Sequence, residues 1–258
     1  MPKFLPACSN RQTDRIFPLT KIVSHRGANK FAPENTFAAA DLALEQGADY
    51  IELDVRESAD GVLYVIHDET LDRTTNATGP VGHMLSSEID TLDAGSWFGE
   101  KFKGAVVPRL DTYLEHLRGR AGVYIELKYC DPAKVVALVR DLGMVRDTFY
   151  FSFSEEMRRD LQMIAPEFRK MMTLNIAKSP SLVGAIHHAS IIEITLEQMC
   201  RPGIIEASRK AGLEIMVYYG GDDMGLHREI AAAGVDYINL DRPDLFDAAR
   251  RELIGANA

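Results

Sequence analysis

Cysteine is scarce: Cys8, Cys130 and Cys200 are the only three among 258 residues, far apart and without a Cys-x-x-Cys pair. That argues against a zinc ribbon or a disulfide framework and for a reducing compartment. Positive charge is also short. Twenty-nine Lys and Arg face 38 Asp and Glu, a net charge of −9, whereas a nucleic-acid backbone needs clustered cations, so no nucleic-acid partner is expected. A small anion held in a local cationic pocket stays open. No run approaches the ~20 apolar residues of a membrane span. The start of the chain, ending in Leu5-Pro6-Ala7-Cys8, has too few apolar residues before Cys8 for a secretory signal, and a cytoplasmic location is expected. The glycine-rich phosphate loops of dinucleotide-binding and Walker types are missing, which weakens an open doubly wound sheet.

What is present begins at Tyr50-Ile51-Glu52-Leu53-Asp54-Val55. In a strand, Ile51, Leu53 and Val55 fill one face while Glu52 and Asp54 share the other. Two carboxylates on one buried face repel each other and lose hydration unless a cation lies between them. The competing reading is an edge strand with a solvated polar face.

Around this stretch the chain alternates. Lys21–Ser24 reads as a strand. Asn35 or Thr36 caps a helix that buries Phe37, Ala40, Ala43 and Leu44 and stops at Gly47. After the acidic strand, a turn at Ala59-Asp60-Gly61 sends residues 62–66 back antiparallel, which brings His67 to the level of Asp54. Residues 69–107 hold the one tryptophan, Trp97, and are too long for a simple connection. Further strands are expected at Gly122–Leu127, Thr148–Phe151, Met171–Leu174, Ser190–Ile194, Glu214–Tyr218 and Asp236–Leu240, with helices between. Leaving the returning hairpin strand aside gives eight strands, each followed by a helical segment, which close into an α/β barrel of the (β/α)8 type. The expected organisation is an arm over 1–20 and one barrel over 21–258, in which residues 69–107 form a lid, a binding loop or a small subdomain.

Functional groups in such a barrel sit at the carboxyl ends of strands. His25 and Arg26 follow the first strand, Glu52 and Asp54 end the second, Glu126 and Lys128 end the third, and His67 arrives by the hairpin. Three carboxylates offer hard oxygen ligands suited to Mg²⁺ or Ca²⁺ rather than zinc. Together with two cationic side chains and two imidazoles they form a set suited to phosphodiester cleavage, in which one His removes a proton and the other supplies one to the leaving alcohol. Taken singly, each has a plainer reading: a structural or surface His, Arg26 as a surface charge, Lys128 as a counterion of Glu126.

The ordered set His25-Arg26-Gly27, Pro33-Glu34-Asn35-Thr36, Glu52-Leu53-Asp54, His67-Asp68, Arg73-Thr74 and Glu126-Leu127-Lys128 resembles the glycerophosphodiester phosphodiesterase family. Ala94-Gly95-Ser96-Trp97-Phe98, residues 108–114, Ser152-Phe153 and Asp241-Arg242-Pro243 extend the resemblance over nearly the whole chain after Lys21. It implies a TIM barrel with a small inserted subdomain at about 67–107, in the loop after the second barrel strand, and hydrolysis of glycerophosphodiesters to glycerol 3-phosphate and an alcohol. It also implies Glu52, Asp54 and Glu126 as metal ligands, His25 and His67 as the acid/base pair, Arg26 and Lys128 as phosphate contacts, and Glu34 and Asn35 ordering the rim or touching the ligand. Two positions depart from the family pattern. Tyr218-Tyr219-Gly220-Gly221 stands where the family has a tryptophan and a Thr-Val-Asn run, and Asn239 replaces a threonine. Tyr218, aligned with the tryptophan, is a candidate contact for the leaving alcohol. Two other functions fit the same residues: a barrel lyase of the phospholipase C or sphingomyelinase D type giving a cyclic phosphate, or an inactive barrel that only binds. A glycosidase fits poorly, because two acids two residues apart on one strand face cannot flank a sugar.

Overall fold

Short runs of β-branched and aromatic residues, each closed by a capped helix, set the architecture. The computed structural model describes residues 19–256, so the expected arm lies outside the described residues except for Leu19 and Thr20, and the segment around Cys8 lies outside them too. The fold is an eight-stranded parallel β-barrel ringed by helices, with extra helical elements after the second barrel strand. The strands are β1 Lys21–Ser24, β2 Tyr50–Glu57, β3 Leu63–Val65, β4 Gly122–Tyr129, β5 Thr148–Phe151, β6 Arg169–Thr173, β7 Ile191–Thr195, β8 Glu214–Tyr219 and β9 Tyr237–Leu240. No described helix is long and apolar enough to cross a membrane. The chain divides into two compact units, Ser24–Arg169 and the rest.

In the unit Ser24–Arg169 the strand order is β5-β4-β2-β3, with β3 antiparallel to β2 and the other pairings parallel. Ile51, Leu53 and Val55 of β2 are fully buried and pack with Ala40 and Ala43 of α1 (Phe37–Glu45) and with Leu110, Tyr113, Leu114 and Leu117 of α3 (Leu110–Leu117). Each such aliphatic contributes about 1.5–3 kcal/mol. The opposite face of β2 is buried as well: Glu52 is 1% and Asp54 0% exposed. The solvated-edge alternative therefore fails.

Helix α1 starts at Thr36, whose Oγ1 accepts the Ala39 N–H at 3.3 Å. Its fully buried positions are Ala39, Ala40 and Ala43, while Phe37 and Leu44 are half-buried. The preceding loop explains the small residues: the Ala28 N–H donates to the Ala39 carbonyl at 2.9 Å. A Cβ on Gly27, whose φ is +76°, would stand 2.6 Å from the Ala39 backbone, so only glycine fits there. Asp131 caps α4 (Pro132–Asp141) and Ser154 caps α5 (Glu155–Ile164).

Between β3 and α3 the chain forms 3₁₀ turns at Val81–His83 and Glu100–Phe102 and the short helix α2 (Ser86–Ile89). Leu71, Val81, Ile89, Ala94 and Val107 gather on Tyr64 and Ile66 as a separate apolar cluster. Two carboxylates staple this segment. Asp60 accepts from Ser58 Oγ, Ser86 N and Ser86 Oγ, and those bonds draw its carboxyl down to about 2. Asp93 accepts from the N–H groups of Gly95, Ser96 and Gly104.

In the second unit the order is β1-β9-β8-β7-β6, with α6 (Leu174–Ala177), α7 (Pro180–Ala185), α8 (Leu196–Met199), α9 (Ile204–Lys210), α10 (Met224–Ala232) and α11 (Pro243–Ala256). The strand expected to reach Leu174 stops at Thr173, because Thr173 Oγ1 accepts the Ile176 N–H and starts α6. His227 of α10 is fully buried between the rings of Tyr219 and Phe246. Its Nε2 lies 3.2 Å from the Gly221 carbonyl, and its Nδ1 has no partner. Burial depresses its pKa, outweighing the Gly221 bond that favours the proton. The unfolded chain then takes up this proton near 6.5 while the folded chain does not, so stability is full above that value and falls as pH drops below it. The slope from this residue is at most about 1.4 kcal/mol per pH unit. His227→Gln is expected to flatten the fall in Tm between pH 7 and pH 5. Parallel Tm profiles for the two proteins would remove His227 as a source of acid sensitivity.

Candidate active site

The unit Ser24–Arg169 brings nine of the ten sequence-predicted site residues onto adjoining elements. On the parallel pair β2–β4, Asp54 stands beside Glu126 and Glu52 beside Tyr124. One oxygen from each of Glu52, Asp54 and Glu126 lies within 4.8 Å of the others, and all three side chains are buried. Lys128, two residues past Glu126, donates to Glu126 Oε1 at 2.5 Å and lies 3.3 Å from Asp54 Oδ1.

His25 and Arg26 lie in the turn after β1, closed by the Gly27 N–H to the Ser24 carbonyl at 3.2 Å. Arg26 has φ +58°, a left-handed conformation that costs a non-glycine residue about 1 kcal/mol or more. The turn is held by what surrounds it. The Arg26 N–H donates to Glu52 Oε2 at 2.9 Å, its Nη1 donates to Glu34 Oε1 at 2.9 Å, and its Nε lies 3.3 Å from Asp54 Oδ2. Asn35 also has φ +58°, which asparagine tolerates. Its N–H donates to the Arg26 carbonyl at 3.0 Å and its Nδ2 to Asp54 Oδ2 at 2.9 Å.

His67 comes back on the hairpin, one residue beyond the expected level: the register pairs Val55 with Val65, and the Ile66 N–H donates to the Asp54 carbonyl at 3.0 Å. His67 Nδ1 lies 2.7 Å from Asp68 Oδ1. Glu34, Asn35, His67 and Thr74, with Ile66 and Pro108, line a small open cleft.

Burial and the carboxylates of Asp54 and Glu126 push the Glu52 carboxyl well above its usual range. Glu126 is raised in the same sense, by burial and then by Asp54. Burial also opposes the charge on Asp54, but Lys128, Arg26, His67 and the Asn35 amide overcome it and hold that carboxyl below the usual range. Burial depresses His67 despite the pull of Asp54 and Asp68. Three buried acids with one cation-facing side, and an Asp54 Oδ1 that accepts no hydrogen bond, are short of positive charge. Their oxygens match a hard divalent cation.

The tenth residue, Tyr218, lies on β8 in the other unit and is 38% exposed. Its neighbour Tyr219 packs its ring on His227 and accepts the Asp223 N–H at its hydroxyl. Three residues that the sequence placed in motifs without a role also belong to the setting. Asp68 touches His67 and Arg73 touches Asp68 and Glu34; an acid directly after a candidate His was the signal for Asp68. The ring of Phe153, which sits edge-on against Phe151, lies 5.8 Å from Lys128 Nζ.

The model of the glycerophosphoryl diester phosphodiesterase family matches residues 25–150, which carry all nine of these site residues. Over 236 residues the chain is 35% identical to a glycerophosphodiester phosphodiesterase of Caldanaerobacter subterraneus subsp. tengcongensis, covering 87% of this chain and 95% of that one. A crystal structure of a glycerophosphodiester phosphodiesterase from Agrobacterium tumefaciens is 88% identical with a TM-score of 0.88, covering 89% of this chain and all of that one. An Oleispira antarctica phosphodiesterase solved with the product sn-glycerol-3-phosphate is 25% identical with a TM-score of 0.80, over 90% and 96% of the two chains. With relatives this similar along nearly their whole length, the chain belongs to the glycerophosphoryl diester phosphodiesterase family.

Proposed function

We propose that the chain hydrolyses glycerophosphodiesters to glycerol 3-phosphate and an alcohol, with Glu52, Asp54 and Glu126 holding Mg²⁺ or Ca²⁺. The observation that carries this reading is the buried carboxylate triad flanked by Arg26, Lys128 and His67. A divalent cation bound there supplies Lewis-acid polarisation of a phosphoryl oxygen. Arg26 and Lys128 pair with the triad and turn their remaining donors to the phosphate, where they stabilise the charge that grows on its oxygens. His25 and His67 divide the proton work: one takes the proton of the attacking water and the other gives one to the leaving alcohol. Glu34 and Asn35 order the rim, Glu34 through the Arg26 side chain and Asn35 through the Arg26 carbonyl and Asp54. The family membership and the product-bound relative support the substrate class. Phosphorus NMR of the products from a panel of glycerophosphodiesters, with and without chelator, tests the reading. Glycerol 3-phosphate formed only without chelator is expected. A cyclic phosphate would make the enzyme a lyase, and no product from any diester would leave a binding protein.

Tyr218 contacts the leaving alcohol in this proposal. Its exposure at the end of β8 supports the assignment, as does the engagement of Tyr219 elsewhere. A phenol face can hold a choline-like cation, with on the order of 1 kcal/mol at stake. Tyr218→Ala is therefore expected to raise KM several-fold, more for glycerophosphocholine than for a diester of a small uncharged alcohol, with metal affinity unchanged. Unaltered kinetics on both substrates in a folded variant would remove Tyr218 from the site.

A further inference from the structure

We infer that Arg73, carried by the segment between β3 and α3, is a positioning residue that locks the acid/base His67 and the phosphate-contacting Arg26 into one geometry. The inference rests on the functional reading above. The Arg73 guanidinium faces two carboxylates at once. Nε donates to Asp68 Oδ2 at 2.7 Å and Nη2 to Asp68 Oδ1 at 3.0 Å, while Nη1 donates to Glu34 Oε2 at 2.6 Å and Nη2 to Glu34 Oε1 at 2.8 Å. Both carboxylates have a second task. Asp68 Oδ1 meets His67 Nδ1 at 2.7 Å, and Glu34 Oε1 accepts from Arg26 Nη1 at 2.9 Å. One unbroken chain of charge-assisted hydrogen bonds therefore runs His67, Asp68, Arg73, Glu34, Arg26, joining residues 39 positions apart in sequence.

The chemistry of each link follows. Asp68 is ionised, drawn down chiefly by its bonds from Arg73, so it accepts the proton on His67 Nδ1. That fixes the imidazole tautomer and leaves Nε2 as the atom that exchanges protons with substrate. Glu34, held low by Arg73 and Arg26 against the cost of burial, keeps the Arg26 side chain from collapsing wholly onto Asp54. An isolated surface ion pair would be worth little, but bidentate geometry on both edges and membership of a network are the conditions under which such pairs matter. A lysine has one point charge and cannot present two edges to two carboxylates.

In the Mg²⁺-loaded full chain, Arg73→Ala is expected to lower kcat roughly ten- to hundredfold, the usual effect of removing a residue that orients a site from behind. Metal affinity, read by competition with a fluorescent chelator, should stay within about threefold, since Arg73 touches none of the triad carboxylates. Arg73→Lys should recover only a small part of the loss, whereas free methylguanidinium should restore Arg73→Ala several-fold and leave the wild type unchanged. Nitrogen-15 NMR of the His67 imidazole, assigned by its loss in His67→Gln, should show the Nδ1–H tautomer in the wild type and a mixture in Arg73→Ala. Should Arg73→Ala not fold, Arg73→Lys carries the same kinetic and NMR comparison. Wild-type kcat in either variant, full rescue by lysine, or an unchanged tautomer would overturn the assignment. A wild type inactive on every diester would sink the functional reading instead, and the tautomer comparison would still decide the role of Arg73.

Discussion

Glu52→Gln, Asp54→Asn and Glu126→Gln should each lower phosphodiesterase turnover by roughly a thousandfold, the scale of losing the main electrostatic stabiliser of a transition state. The three positions are not equivalent, and the difference gives a readout besides activity. Glu52 has one polar contact within this set, the Arg26 N–H, and burial together with two neighbouring carboxylates disfavours its charge. Asp54 is surrounded by Lys128, Arg26 and the Asn35 amide. Without metal, Glu52→Gln replaces a carboxyl whose ionisation burial and two neighbouring carboxylates oppose with a neutral amide, so the metal-free variant should melt higher than the metal-free wild type. Asp54→Asn removes the anion that two cations face, and should melt lower by an amount typical of breaking a buried ion pair, about 3 kcal/mol or more. Added Mg²⁺ or Ca²⁺ should raise the wild-type Tm and return activity to stripped enzyme, and should do neither in the variants. Full activity in excess EDTA, with no metal by elemental analysis, would end the metal-site assignment.

The site was legible where a side chain's role follows from strand periodicity. The alternation from Ile51 to Val55 puts Glu52 and Asp54 on one face whatever the neighbours are, and the β4 register then sets Glu126 beside Asp54. The hairpin was legible for a similar reason, since a turn centred on Asp60 fixes which residues face each other. His67 lies one position past the partner of Asp54 because the pairs of this hairpin are centred on Asp60, which sets Ile66 opposite Asp54.

What the sequence hid depends on contacts remote in the chain. Nothing local says that Arg26 must take a left-handed conformation; it does so because Glu52, Glu34 and Asp54 converge on it. On α1, Ala40 and Ala43 are buried and Phe37 and Leu44 pack on the core as the periodicity expects, but Ala39 joins them because the backbone loop at Gly27 packs there and calls for a small residue. Arg73 carries no apolar periodicity and no cap signal, and its partners Glu34 and Asp68 lie 39 and five residues away. Helix α6 begins where a strand was expected because a single threonine hydroxyl can cap as readily as it can sit in a ladder.

Alanine at His25 or His67 should cost roughly a hundredfold or more in kcat/KM, the range for losing a positioned general acid or base. The two imidazoles bear on different carboxylates of the triad. His25 is near enough to Glu126 to favour its charge, and His67 does the same for Asp54. Those two carboxylates are themselves coupled, Asp54 raising Glu126, and kcat/KM should follow a bell whose two apparent values belong to the coupled pair. Burial makes neutral imidazole the favoured form of His67, against the pull of Asp54 and Asp68. A base must be neutral in the free enzyme, so if His67 is the base, the acidic limb lies below the ordinary imidazole value of about 6.5. If His25 is the base, His67 must stay protonated as the acid. Its depressed pKa then pulls the alkaline limb down and narrows the bell. Leaving-group chemistry decides between the two. A nitrophenyl diester needs no proton on departure, so it should restore most of the rate to the variant that lacks the acid and little to the variant that lacks the base. Equal rescue of both variants, or rescue of neither, would mean that the histidines do not divide the proton work in this way.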